Sequence, residues 1–278
     1  MADSWSGKTV LVCGASAGLG YQLAMELTRQ NARVILAARN LEKLETVKTF
    51  LTDQFQNREV HVFSADLADA QSVLDLATEI HQQFGRLDLV INAVGESDRG
   101  SIGDLQCDRL VELFRRNVCS SLLVTQRLAP LLGAHDQQSE GGVLVLIGSL
   151  SAHFAPRYLG GYSIVKHGVA ALAQQARLEL AADRIHVMLA SPGPIARPDT
   201  GTRYDKLARN INVPAEALQG GGGAKIKGLD PLKLSQQILD SAARRKNRLI
   251  RPRKASLLLI ASSISSRLGD FLLRRLSS

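Results

Sequence analysis

Tyr162-Ser163-Ile164-Val165-Lys166 sets a phenol and an ammonium four residues apart, a spacing that puts both side chains on one face of a helix. Ser149 stands thirteen residues earlier, at the end of an apolar run. A free phenol has a pKa of about 10. A neighbouring ammonium favours the phenolate and lowers that value. A tyrosine so placed can exchange a proton with a carbonyl or alcohol oxygen, and a serine hydroxyl can hydrogen-bond the same oxygen. Taken alone, Tyr-x-x-x-Lys is a common solvated helix face. Its position after a strand-end serine and an upstream glycine-rich turn favours chemistry.

That turn is Gly14-Ala15-Ser16-Ala17-Gly18-Leu19-Gly20, which closes the first apolar run and opens a helical pattern. Gly14 allows a tight turn, Gly18 lets a diphosphate approach the backbone, and Gly20 permits close helix–strand packing. The spacing is G-x-x-x-G-x-G rather than the commoner G-x-G-x-x-G. The second apolar run ends Ala37-Ala38-Arg39-Asn40, with no acidic residue to bind a ribose 2′-hydroxyl. Arg39 offers a planar multi-donor cation for a 2′-phosphate instead. This favours NADP(H) over NAD(H).

The elements that must position these residues follow from periodicity. Short apolar, β-branched runs begin at Thr9, Val34, Val60, Leu87, Val143 and Ile185, and a seventh short strand is expected at Arg248–Arg251. Near-continuous apolarity suits strands buried on both faces of a parallel sheet. Segments with helical spacing lie between them, such as Leu41, Leu44, Val47 and Leu51. The alternation predicts a Rossmann-type α/β fold, a doubly wound parallel sheet of about seven strands. Residues 1–252 are expected to form the dinucleotide-binding and catalytic domain. Within it, the Gly- and Pro-rich stretch 192–231 reads as a substrate loop or lid.

Composition narrows the class. The chain has 278 residues, 45% hydrophobic and 22% charged, an ordinary globular profile with ample material for a core. No apolar run is long enough to span a bilayer, and the first residues do not read as a secretory signal. Cys13, Cys107 and Cys119 have no metal-ligand spacing and point to a reducing compartment, so no metal is expected and the location read is cytoplasmic. The net charge of +8 is unevenly distributed: Arg244–Ser278 holds ten basic residues against Asp270 alone, leaving the rest at −1. Phe271 is the one aromatic of this tail, which argues against nucleic acid. Residues 255–276 read as one amphipathic helix, with Leu257, Ile260, Ala261, Ile264, Leu268, Phe271 and Leu272 near one side. An apolar stripe beside a basic run suits an anionic membrane surface. Packing on the domain or on another subunit is the competing reading of the segment 253–278.

With these motifs in hand, the chain resembles the short-chain dehydrogenase/reductase family over roughly residues 8–251. Gly14, Gly18 and Gly20, with Ser16 and Leu19 between and beside them, match its cofactor turn. Asp66-Leu67 matches the aspartate after the third strand that contacts adenine. Asn92-Ala93-Val94-Gly95 matches its Asn-Asn-Ala-Gly segment at Asn92 and Gly95 only. Asn117, Ser149, Tyr162 and Lys166 match the catalytic tetrad. Pro192-Gly193-Pro194-Ile195 matches the segment flanking the nicotinamide, while Arg197 stands where the family usually has threonine, with Thr200 and Thr202 nearby. The resemblance implies hydride transfer between NADP(H) and a ketone or secondary alcohol. Tyr162 would be the acid/base. Lys166 would lower its pKa and hold the nicotinamide ribose, and Ser149 would orient the substrate oxygen. Asn117 would shape its helix so that a water links Lys166 to solvent. A homo-oligomer and a small carbonyl or alcohol substrate, lipid-like if the tail meets a membrane, are implied too. The rival class is a cofactor-binding, membrane-surface scaffold without turnover.

Overall fold

The apolar runs become seven parallel strands: β1 Thr9–Cys13, β2 Arg33–Ala38, β3 Val60–Ser64, β4 Leu89–Asn92, β5 Val143–Ile147, β6 His186–Pro192 and β7 Arg248–Arg251. They form one sheet in the order β3-β2-β1-β4-β5-β6-β7. The computed structural model describes residues 4–134, 140–196 and 227–276.

Alternation along each strand feeds two separate cores. Val10 and Val12 of β1 face one core with Val143, Val145 and Ile147 of β5, while Leu11 and Cys13 face the other with Leu144 and Leu146. This is why the strand runs are apolar throughout rather than at every second residue. The first core is closed by α1 (Gly18–Arg29), α2 (Leu41–Phe55) and α7 (Pro231–Ala243). The second is closed by α3 (Ala70–Phe84), α5 (Ser120–Leu128) and α6 (Tyr162–Glu179). On α6 the buried positions Val165, Val169, Ala173 and Ala176 recur at helical spacing. Each fully buried leucine in these cores contributes about 1.5–3 kcal/mol over an exposed one.

Helix starts carry the expected chemistry at three places. Asn40, Asp69 and Asp230 cap α2, α3 and α7 by accepting from the N–H of Lys43, Ser72 and Lys233. Helix α1 is different: its N-cap is Ala17, and no side chain caps it.

The C-terminal segment corrects one expectation. Residues 255–276 form two helices, α8 Ala255–Ile264 and α9 Ser266–Leu276, not one. Between them Ser265 is extended, at φ −150° and ψ 118°. Its hydroxyl accepts from the N–H of Leu268 at 3.3 Å, an N-cap bond for α9. A serine-rich stretch, Ser262-Ser263-Ile264-Ser265-Ser266, is the local cause. Of the loop read as 192–231, the two ends are described: Ile195 pairs with Leu229, and the N–H of Ala196 donates to the Leu229 carbonyl at 2.8 Å. Arg197, Thr200, Thr202 and the body of that loop lie outside the described residues.

Candidate active site

A parallel sheet brings all strand C-termini to one edge. The direction of winding reverses between β1 and β4, so a crevice opens there. Gly14 leaves β1 at φ +80°, in the left-handed region that glycine tolerates. A Cβ on it would lie 3.2 Å from the backbone of Ala93 and Val94, which leave β4. Gly20 is tighter still, because its Cβ would sit 2.2 Å from the Gly14 carbonyl oxygen. The first turn of α1 is therefore pressed onto the loop that precedes it. Ser16, Gly18 and Leu19 belong to this turn, and Gly18 is also left-handed, at φ +60°. With Ala17 unable to cap, the N–H groups at the start of α1 have no side-chain acceptor. A free helix N-terminus beside a glycine turn fits a diphosphate.

The next group converges after β4. Gly95 has no room for a side chain: a Cβ would meet Asn117 Oδ1 at 2.6 Å and Lys166 Nζ at 3.0 Å. Asn117 sits in a π turn, Arg115–Cys119, which joins α4 (Cys107–Phe114) to α5. A π turn widens a helix and often marks a functional site. The amide of Asn117 donates to the Leu113 carbonyl at 2.9 Å and to the Glu96 carbonyl at 3.1 Å. Its Oδ1 is buried without a hydrogen-bond partner among the described residues. A buried acceptor left open in this way fits a water or a ligand hydroxyl.

Lys166 is 4% exposed. Its ammonium donates to the Ile147 carbonyl at the end of β5, at 3.1 Å, and lies 5.7 Å from the centre of the Tyr162 ring. Burial pulls its pKa down from 10.5 to about 8. Tyr162 opens α6 and is half-buried. Ser149 follows β5, extended, and its hydroxyl accepts from the Ser151 N–H at 3.1 Å. Phenol, hydroxyl and buried ammonium thus come from neighbouring elements on one edge. Pro192 ends β6, and the Gly193 N–H donates to the Arg251 carbonyl at 2.7 Å. Ile195 packs against the first core.

Five further residues play quieter parts. Asn92 is buried, with its amide donating to Ser121 Oγ at 3.1 Å and its Oδ1 accepting from the Val94 N–H at 3.1 Å. Its visible work is to shape the turn toward Gly95. Leu67 is buried in the second core, and Asp66 is exposed with its carboxylate accepting from the Ala68 N–H. Arg39 is exposed at the β2 end of the same edge, its carbonyl accepting from Ser64 Oγ. Cys13 is fully buried, and burial pushes its thiol up to about 12, so it packs and does not react.

Sequence reasoning missed the support behind α6. Asp98 is buried and accepts from the Gly161 N–H at 3.2 Å, just before Tyr162. Arg109 reaches the same carboxylate at 3.2 Å and also Glu96 and Glu112, at 2.7 and 2.8 Å. Gly160, at φ +51°, makes room, since a Cβ there would meet Asp98 Oδ2 at 2.4 Å. His153 is half-buried and 3.0 Å from Ser191 Oγ on β6, with its pKa lowered by burial and by His167 and Arg248 nearby.

Comparison with known proteins accords with this geometry. The family model for short chain dehydrogenases matches residues 8–207. A dehydrogenase/reductase SDR family protein 7-like of Drosophila melanogaster is 31% identical over 88% of this chain and 72% of its own length. Among solved structures, an L-sorbose reductase from Gluconobacter frateurii, complexed with NADPH and L-sorbose, superposes with a TM-score of 0.76 at 20% identity, over 90% of this chain and 97% of that one. An alcohol dehydrogenase from the archaeon Thermococcus sibiricus, complexed with 5-hydroxy-NADP, gives 0.70 at 22% identity, over 87% and 95%.

Proposed function

Because the chain belongs to the short-chain dehydrogenase/reductase family of oxidoreductases, we propose that it interconverts a ketone and a secondary alcohol, using NADP(H), with Tyr162 as the acid/base. The observation that carries this reading is the buried Lys166 ammonium beside the Tyr162 ring. A buried cation stabilises a phenolate more strongly than a solvated one, because little water screens it. Tyr162 then delivers its proton to a carbonyl oxygen, or takes one from an alcohol, close to neutral pH. Ser149 holds that oxygen by a hydrogen bond. Asn117 Oδ1 is the open acceptor through which a water would pass protons to Lys166.

The residues present fit the cofactor. Gly14, Ser16, Gly18, Leu19 and Gly20 form a close-packed turn into a helix N-terminus with no side-chain cap, which suits the diphosphate. Asp66 would meet the adenine, and Gly95, Tyr162 and Lys166 the ribose side, while the buried Leu67 and Asn92 would back the turns that present them. Pro192, Gly193 and Ile195 would flank the nicotinamide. The cofactor, when bound, supplies the hydride chemistry. Arg39 would hold the 2′-phosphate, and the NADPH and 5-hydroxy-NADP held by the two solved relatives support the same choice.

Tyr162→Phe tests the reading with NADPH oxidation on a panel of ketones. Loss of a positioned proton donor is expected to lower turnover by about 10²–10⁴, with NADPH still bound, as read by fluorescence titration. A Phe variant with wild-type turnover overturns the acid/base assignment. A wild-type protein that binds NADPH yet reduces no ketone in the panel favours a scaffold.

A further inference from the structure

Helix α8 has the sequence Ala-Ser-Leu-Leu-Leu-Ile-Ala-Ser-Ser-Ile, with no charged residue. A ten-residue helix of that composition belongs in a core, yet here its apolar side faces out. Leu257, Ile260 and Ile264 are 70%, 57% and 78% exposed. Their spacing of three and four places them on one face. On α9, Leu268 and Phe271 continue the apolar surface at 44% and 54%. The two helices fold on each other as a hairpin. At their contact a Cβ on Gly269 would lie 2.9 Å from Ser262 Cβ, so the backbones approach closely there. The Ser262 hydroxyl is buried at this contact without a hydrogen-bond partner among the described residues, and the five outer side chains are exposed.

Charge identifies what would cover them. Residues 253–276, the hairpin and its base, carry Arg253, Lys254, Arg267, Arg274 and Arg275 against Asp270 alone, a net +4. Arg253 and Lys254 are exposed at its base, and Arg267, Arg274 and Arg275 are exposed along α9. A second copy of the same hairpin would bring +4 against +4 on an apolar contact, which is repulsive. No described helix is long and apolar enough to cross a membrane. What satisfies both the apolar side chains and the cations is the interface of an anionic bilayer. There, apolar groups enter the acyl boundary and arginines meet headgroup phosphates and carboxylates.

We propose that the α8–α9 hairpin seats the protein on anionic membrane surfaces, with Leu257, Ile260, Ile264 and Phe271 as the inserted residues. The seat follows the C-terminal end of β7, where the Gly193 N–H donates to the Arg251 carbonyl, so it adjoins the candidate site, but it does not depend on the proposed hydride chemistry. Each cation near an anionic surface raises the partition coefficient about fivefold. The binding is therefore steeply salt-dependent.

The test is co-sedimentation of the full chain with phosphatidylcholine vesicles, with and without phosphatidylserine. The wild type is expected to sediment with the phosphatidylserine vesicles, to stay in solution with phosphatidylcholine alone, and to be released by high salt. Arg267→Glu with Arg274→Glu is expected to lower the partition at least tenfold, as is Ile264→Asp, while NADPH binding and the thermal midpoint stay unchanged. The wild-type measurement decides the matter even where a variant misfolds. Wild-type protein that ignores phosphatidylserine, or that binds both vesicles alike, overturns the proposal. So does a hairpin that dimerises the chain in light scattering, without vesicle binding, and becomes monomeric with Ile264→Asp.

Discussion

Lys166 shows how one buried charge ties stability to pH. Its pKa is about 8 when folded, against about 10.5 in the unfolded chain. Between those values the unfolded state holds more protons, so this group's contribution to stability rises with pH across that window. Below pH 8 the fold carries the full cost of a buried cation. Lys166→Met removes the effect. The stability of the wild type relative to the Met variant, measured by urea unfolding of the cofactor-free protein, is expected to increase by about 3 kcal/mol from pH 7 to pH 11. Taking the difference matters, because the buried Cys13 thiol works in the opposite direction above pH 9 in both proteins. A flat difference curve would refute the buried cation. Arg39 is the contrasting case, an exposed cation whose proposed partner comes with the cofactor. Arg39→Asp exchanges a phosphate donor for a group that repels phosphate and accepts from ribose hydroxyls. Losing a charged hydrogen bond costs about 1.5–3 kcal/mol, so NADPH is expected to bind roughly 10- to 150-fold more weakly, with NADH gaining. Equal use of NADH and NADPH by the wild type would contradict the Arg39 assignment.

Among the elements, α6 and α1 start in opposite ways. α1 begins at Ala17 with no cap, which leaves its N-terminus open to an anion. α6 also lacks a cap of its own, but Asp98 supplies one from the loop after β4 by accepting from Gly161. Arg109 neutralises that buried carboxylate and holds it in place. The device fixes the start of the helix on which Tyr162 is the first residue. Asp98→Ala is expected to cost about 1–3 kcal/mol, because the Gly161 N–H is left without its acceptor while Arg109 keeps Glu96 and Glu112. It should lower kcat while leaving the NADPH dissociation constant near the wild-type value. Asp98→Asn, which keeps an acceptor oxygen, should restore part of kcat. A fall in stability with kcat unchanged would make Asp98 purely structural.

On the scale of the molecule, the sheet order does the assembling. Residues from Gly14 to Gly193 reach one edge because every strand runs the same way, and the reversal between β1 and β4 keeps that edge open. The N-terminal segment is tied to the far part of the chain: Trp5 is buried in the first core, and its indole N–H donates to the Leu239 carbonyl of α7 at 3.3 Å. Basic charge is segregated from this body into the tail, which is why the net +8 says little about the edge that carries the candidate site.

Periodicity alone determined the strands, their parallel pairing and the glycine turn, because two-sided burial and helix–turn contact each demand particular residues at fixed spacing. Ser149, Tyr162 and Lys166 were legible for the same reason: a strand end and one helix face are local facts. Four things were decided only by tertiary structure. The open Asn117 Oδ1 depends on a π turn that no spacing announces. The Asp98 cap joins residues 63 positions apart, and its arginine partner lies on another helix. His153 turned out to face Ser191 because β6 passes beside the loop after β5. The tail was read as one helix, since its apolar stripe runs on through Ser265, but that serine's hydroxyl competes for the backbone and starts a new helix instead. Hydrophobic period and steric need are written along the chain, whereas a hydrogen bond between distant groups exists only once the fold has brought donor and acceptor together.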